Sequence, residues 1–293
     1  MRDDTPSRTA QWVAAARGLG QLLPEPLRLA DDPYGLAFSS SSLARLVTRS
    51  QGERAEAIAR IPGLSTWIVH MQVRTRLIDD AVRAFAALGG RQVVVLGAGY
   101  DCRALRLPEL ARAQVYEIDH PATQGHKLTV LERLGVSSPA RFLAWDFETR
   151  AMDDLPGALA DAGHDPAAAT LTIWEGVTMY LTEGAIDASL RAIATWSAPG
   201  SELAMSYIAR TRHDKLSLAT RVMQAVVQRL GEPFKTTWMP EQLPDYLELR
   251  GFDLVRDVAT AAAARELMPP ELAATITRDD SHIALARPTA GVS

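Results

Sequence analysis

Residues 92–100 read QVVVLGAGY and residues 116–120 read YEIDH. The first stretch is a β-branched apolar run that breaks into a glycine turn, Gly97-Ala98-Gly99. The second is another apolar run, and it ends in an acid, Asp119, about twenty residues on. A strand that enters a glycine turn lets a ligand lie against bare backbone. An acid at the end of the next strand can accept from both hydroxyls of a ribose. The pair therefore points to a ligand carrying adenosine. A dinucleotide site would place a third glycine where Cys102 stands, so that the helix can close on a pyrophosphate. Two glycines suffice for a ligand with no phosphates.

Working outward, short apolar runs alternate with helical stretches from Gln92 onward. The expected strands are Gln92–Leu96, Val115–Ile118, Arg141–Ala144, Thr170–Trp174, Glu202–Tyr207, Phe252–Val258 and His282–Ala286. Such alternation implies a parallel sheet covered by helices and joined by right-handed crossovers. Upstream, apolar spacing near 3.6 predicts helices over Gln11–Gly20, Ser42–Arg49, Glu53–Arg60 and Ser65–Leu88. The stretch between Ile208 and Gly251 is too long for an ordinary loop. It predicts helices over Lys215–Leu230 and Pro240–Arg250, which read together as a lid over the strand ends. The expected organisation is a helical cap over residues 1–90 and an α/β core over 91–293 with its lid at 208–251.

Further acids fall where such a sheet binds ligands, at its strand ends. Asp146 follows the third strand and could accept from an adenine amino group, with Phe147 beside it for stacking; a solvent-facing turn is the other reading. Glu175 ends the fourth strand beside Gly176, where it could face a ligand or cap the next helix. Asp119 could equally serve as a helix N-cap before Pro121. Arg74 and Arg76 lie on the long upstream helix, and one of them could fork onto a carboxylate, unless both sit on a solvated face. For proton transfer the candidates are His70, one turn before Arg74, His213 in the insertion, and Tyr180 and Tyr207 near strand ends. Each of these four also fits a packing or surface role. No histidine set has metal-ligand spacing, a single cysteine makes a zinc cluster implausible, and there is no GxSxG elbow.

Composition bounds the rest. The chain has 293 residues, 47% hydrophobic and 23% charged, which suits a globular protein. Its formal net charge of −4 gives no footprint for nucleic acid. One cysteine excludes an internal disulfide and suggests a reducing compartment, the cytoplasm. The opening residues have no secretory h-region, and no apolar run approaches the roughly 18 residues of a membrane span. Oligomeric state leaves no signal.

Taken in order, the motifs resemble the leucine carboxyl methyltransferase family of S-adenosylmethionine-dependent enzymes. The likeness is to its bacterial branch, which includes actinobacterial methyltransferases and polyketide O-methyltransferases. It rests on Asp32-Pro33-Tyr34, RTRLIDDAVRAF (74–85), VVVLGAGYDCRALRL (93–107), VYEIDHPATQGHK (115–127), WDF (145–147), WEGVTMYLT (174–182) and the stretch 231–252. The resemblance implies a class I methyltransferase fold: a Rossmann-like, seven-stranded, mostly parallel sheet with an antiparallel last strand. It implies S-adenosyl-L-methionine as cofactor. Arg74 would hold the methionine carboxylate, Gly97 with Ala98 and Gly99 would line the amino-acid part, and Asp119 with His120 would sit at the ribose. Asp146 and Phe147 would flank adenine, and Glu175 would help close the site. The expected activity is O-methylation of a carboxylate, or else a hydroxyl, on a small natural product or metabolite. The alternatives are methylation of a protein C-terminal carboxylate and an NAD-dependent oxidoreductase.

Overall fold

In the computed structural model, residues 5–39, 49, 61, 63–210, 234–274, 276 and 280–289 are described. Seven strands form one sheet in the order β3-β2-β1-β4-β5-β7-β6. They are β1 Gln92–Leu96, β2 Gln114–Asp119, β3 Arg141–Ala144, β4 Thr170–Trp174, β5 Glu202–Ile208, β6 Phe252–Ala259 and β7 Ser281–Pro288. The first five pair in parallel, whereas β7 runs antiparallel to both β5 and β6. The expected strands therefore hold, three of them to the residue, and the others extend by a residue or two at their ends. This is the class I methyltransferase sheet.

The strands are sided by their period of two. On β1, Val94 and Leu96 face one layer, where they join Tyr116, Ile118, Trp174 and Met205. Val93 and Val95 face the other, with Val115, Leu171, Ile173 and Ala204. Every residue of β1 and β4 is buried, as befits central parallel strands covered on both faces.

Among the described residues the α-helices with full bounds are α1 Arg8–Leu19, α2 Leu64–Ala87, α3 Arg103–Arg106, α4 Pro121–Arg133, α5 Leu155–Asp161, α6 Glu183–Thr195, α7 Leu243–Glu248, α8 Thr260–Leu267 and α9 Pro270–Ala273. Helices α5 and α6 cover the first face through Leu155, Leu159, Ile186, Leu190 and Ile193. Helix α2 covers the second through Ile78, Ala81, Val82 and Phe85. Its upstream half, with Ile68, Val69 and Val73, packs instead with Leu19, Leu23 and the alanines of α8. One long helix thus belongs to the sheet at one end and to the N-terminal layer at the other.

The helix expected over Pro240–Arg250 is shorter. A 3-10 turn occupies Pro240–Gln242, and the α-helix begins only at Leu243 with Pro244 in its first turn. The helices expected over 42–49, 53–60 and 215–230 lie outside the described residues apart from helical Arg49. Among the described residues no helix is long and apolar enough to cross a membrane.

Candidate active site

Sheet order reverses between β1 and β4, because the chain builds outward to β2 and β3 on one side and to β5 on the other. Ligands of open α/β sheets bind in the crevice that this reversal leaves at the carboxyl ends of the strands. A cavity of about 460 Å3 lies there. It gathers His70, Arg74, Gly97, Ala98, Gly99, Asp119, His120, Asp146, Phe147, Glu175, Tyr180 and Tyr207. His213 lies outside the described residues.

The glycine turn is built for closeness. Gly97 has φ of +64°, and a Cβ there would stand 2.4 Å from Val177 Cγ2 on the loop after β4. Gly99 has φ of +52°, and a Cβ would stand 3.2 Å from Ala10 Cβ on α1. Any side chain would be strained by backbone and neighbour alike. At the position of an absent third glycine, Cys102 is buried, and burial pushes its thiol up to about 12.

Asp119 closes β2. Its Oδ2 accepts from the Gly99 amide at 2.5 Å and its Oδ1 from the His120 amide at 2.7 Å. Burial raises its pKa in spite of these two bonds. The N-cap of α4 is not Asp119 but His120, whose Nδ1 accepts from the Ala122 amide at 3.2 Å. A histidine can cap because its unprotonated ring nitrogen is an acceptor, and this leaves the aspartate free of that task. Asp146 tightens the turn after β3, accepting from the Glu148 amide and the Thr149 hydroxyl. Those bonds hold its pKa below the usual carboxylate range.

Glu175 is not a helix cap. The 3-10 turn that follows is flanked by Val177 and has no side-chain cap. Its carboxylate instead takes Arg74 Nε on one oxygen at 2.8 Å and Arg103 Nη1 on the other at 2.9 Å. Arg103 continues the chain of charges to Asp101 and, through Nε at 2.7 Å, to Asp79, which Arg106 also grips. Burial alone would raise Glu175, but Arg103, Arg74 and Arg17 outweigh it and hold it low. The same balance, led by Arg103, holds Asp101 well below the carboxylate range. Arg76 sits apart on the outer face of α2, paired with Asp80.

Two groups of this site escape a reading of the sequence. Arg17 is buried on α1, donates from Nε to Asp32 at 2.8 Å and from Nη2 to the Tyr100 carbonyl at 2.6 Å, and lines the cavity. An arginine closing the run Ala14-Ala15-Ala16 on a buried face was the available signal. Lys127 on α4 is buried against Glu117 and the Asp101 carbonyl, behind the glycine turn. An exposed helix lysine would have looked the same in sequence.

The proton-transfer candidates differ in their surroundings. Tyr207 donates to Asp257 Oδ2 at 2.6 Å and lies 3.2 Å from His282 Nδ1; burial and Asp257 push its phenol far above the usual range. His70 is buried, with Nδ1 3.3 Å from Thr260 Oγ1 and its ring 5.9 Å from that of Trp67. Tyr180 is half-buried, its ring 5.6 Å from that of Phe234.

The profile of the leucine carboxyl methyltransferase family matches residues 10–194. The chain belongs to this family. A relative from Mycolicibacterium smegmatis, described as "Putative S-adenosyl-L-methionine-dependent methyltransferase", is 38% identical over 203 residues, 68% of this chain and 66% of the relative. A second, from Mycolicibacterium gilvum and similarly described, is 37% identical over 213 residues, 68% of this chain and 65% of the relative. The match thus spans just under two thirds of the length of these curated relatives. Among solved structures, one described as a "putative methyltransferase" from Thermobifida fusca superposes with a TM-score of 0.57 at 20% identity. It covers 93% of this chain and 98% of that one, a likeness of fold. The family motifs quoted from the sequence between residues 74 and 182 fall inside the matched segment.

The residues lining the site fit S-adenosyl-L-methionine, which the names of these relatives print. Each oxygen of an ionised carboxylate can take about two hydrogen bonds, and each oxygen of Asp119 has one backbone amide. One acceptor position therefore remains on each, matching a ribose diol. Thr9 Oγ1 also lines the cavity, buried and without a hydrogen-bond partner among the described residues. Arg74 commits only Nε to Glu175, leaving its outer nitrogens for an amino-acid carboxylate.

Proposed function

We propose that the protein transfers a methyl group from S-adenosyl-L-methionine to a carboxylate oxygen of a small natural product or metabolite. The observation that carries the reading is the state of the acids around the cavity. Asp101, Asp119, Asp146 and Glu175 all hold protein donors already, and Glu148 is exposed beside Phe147. Tyr207 is bound to Asp257 and stays protonated. A carboxylate acceptor is ionised at neutral pH, with a reference pKa near 4, and needs no base; a phenol, near 10, would be helped by one.

When bound, the cofactor supplies a methyl group made electrophilic by its sulfonium. The rest falls to the chain. Asp119 holds the ribose hydroxyls, the bare backbone at Gly97 and Gly99 admits the amino-acid part, and Arg74 takes the carboxylate. Glu175, pinned by Arg103, fixes the direction of Arg74. The volume suits a small-molecule site of roughly 300–1,000 Å3, where alignment and exclusion of water lower the barrier.

The test is methyl-tritiated cofactor incubated with the protein and an acidic metabolite extract. Label that alkali releases as methanol marks an ester and supports a carboxylate acceptor. Alkali-stable label would mean an ether, an amine or a thioether and overturn that acceptor. Tight binding of NAD in place of S-adenosyl-L-methionine, read by calorimetry, would overturn the reaction class.

A further inference from the structure

The groups assigned to the cofactor leave part of the cavity wall without a task. Gly97, Asp119 and Asp146 stand at the carboxyl ends of β1, β2 and β3, on one side of the crevice. Part of the remaining wall is aromatic and comes from elsewhere: Trp67 and His70 on α2, Tyr180 after β4, and Phe234 on the segment before α7, with aliphatic Val177, Met179 and Leu181 alongside. Their rings are already arranged in pairs. Trp67 and His70 lie 5.9 Å apart at 24°, and Tyr180 and Phe234 lie 5.6 Å apart at 56°.

Next to Phe234 stands Lys235, which also lines the cavity. Its backbone is anchored, since the Lys235 amide donates to the Met179 carbonyl at 2.7 Å and Thr236 Oγ1 to the Leu181 carbonyl at 2.5 Å. The lysine therefore rides on a segment fixed to the exit of β4. The arginines of the cavity both have an acidic partner already, Arg17 in Asp32 and Arg74 in Glu175. Among the described residues lining the cavity, Lys235 is the lysine or arginine with no acidic partner.

We infer that this wall is the acceptor subsite and that it takes a planar aromatic carboxylate, its ring against the aromatic side chains and one carboxylate oxygen on Lys235. The inference rests on the methyl-transfer reading and adds the substrate class. Aromatic faces favour a flat π-system over a flexible chain of similar size. An ammonium is a point charge on a flexible stem, able to meet one oxygen and leave the other to react.

Calorimetry on the full chain loaded with S-adenosylhomocysteine tests it, with 2-naphthoate, 2-naphthamide and octanoate as probes. Wild-type protein should bind 2-naphthoate about tenfold more tightly than 2-naphthamide, the size of one charge-assisted hydrogen bond at a partly open site, and more tightly than octanoate, which keeps the carboxylate but lacks the rings. Lys235→Met should erase the preference for acid over amide and leave S-adenosylhomocysteine binding unchanged. Phe234→Leu should narrow the gap between naphthoate and octanoate while keeping the preference for acid over amide. Equal binding of acid and amide, or of naphthoate and octanoate, overturns the inference, as does a Lys235→Met protein that keeps the acid preference or loses the nucleoside. Failure to bind S-adenosylhomocysteine at all would sink the methyl-transfer reading. Nucleoside binding without naphthoate binding would sink the aromatic subsite alone.

Discussion

Replacing Asp119 with asparagine keeps the shape of the side chain and removes its charge and one acceptor. In the structure both carboxylate oxygens are in use, one on the Gly99 amide and one on the His120 amide. The asparagine NH2 must then face one of those N–H groups, donor against donor, and only its oxygen can still accept from a ribose hydroxyl. Losing one charge-assisted bond to the ligand and weakening the other costs about 3 kcal/mol, roughly a hundredfold in Kd. Isothermal titration with S-adenosylhomocysteine reads this, with thermal unfolding run alongside to confirm a folded variant. pH gives a second reading of the same atoms. Burial raises the Asp119 pKa in the free protein, and hydroxyl donors bound to the carboxylate favour its ionised form. Binding should therefore release a proton in acid, so affinity should weaken as pH falls toward the raised pKa, and Asp119→Asn should lose that slope. A folded variant with wild-type affinity, or one with the wild-type pH slope, refutes the ribose assignment.

Arg103→Met removes the hub between Asp79, Asp101 and Glu175 and leaves buried carboxylates short of a partner. The expected loss is about 3–5 kcal/mol in urea unfolding at pH 7. In wild type, Asp101 and Glu175 are held low, so their contribution is full above their unfolded pKa values and lost as pH falls through the folded ones. The variant should accordingly unfold at a higher pH than wild type in an acid titration followed by circular dichroism; coincident titrations would contradict the coupling. Tyr207→Phe breaks the bond to Asp257 but leaves Asp257 with His282. It should cost about 1–2 kcal/mol of stability, with kcat/KM within about threefold of wild type. A stable variant with a hundredfold loss of turnover would make the hydroxyl part of the chemistry.

The fold was legible because burial on both faces leaves a local trace. QVVVL and TLTIW are runs of β-branched and apolar residues of strand length, and they became the central pair β1 and β4. The strand-end acids were legible for the same reason, since each follows a run whose length fixes where the strand stops. What the sequence withheld lies between distant residues. Arg17 reaches the Tyr100 carbonyl across 83 positions, and Arg74 meets Glu175 across 101. No periodicity encodes such a pair, and the propensity of arginine for helices says nothing of which face it occupies. Local competition also hid detail. His120 rather than Asp119 caps α4. The stretch from Pro240 starts as a 3-10 turn because two prolines fall within its first turns.

The position of β7 carries a consequence for synthesis. It lies between β5 and β6, paired on both edges, although it emerges after either neighbour. While a ribosome has made only the first six strands, β5 presents an open edge and β6 has nothing to join. Exposed edges of that kind invite pairing with other chains. Residues 281–288 then supply two ladders in one event, so the nascent protein stays incomplete on that side until its seventh strand clears the tunnel. Ser281 also lines the cavity, and the pocket and the sheet are therefore finished by the same late arrival.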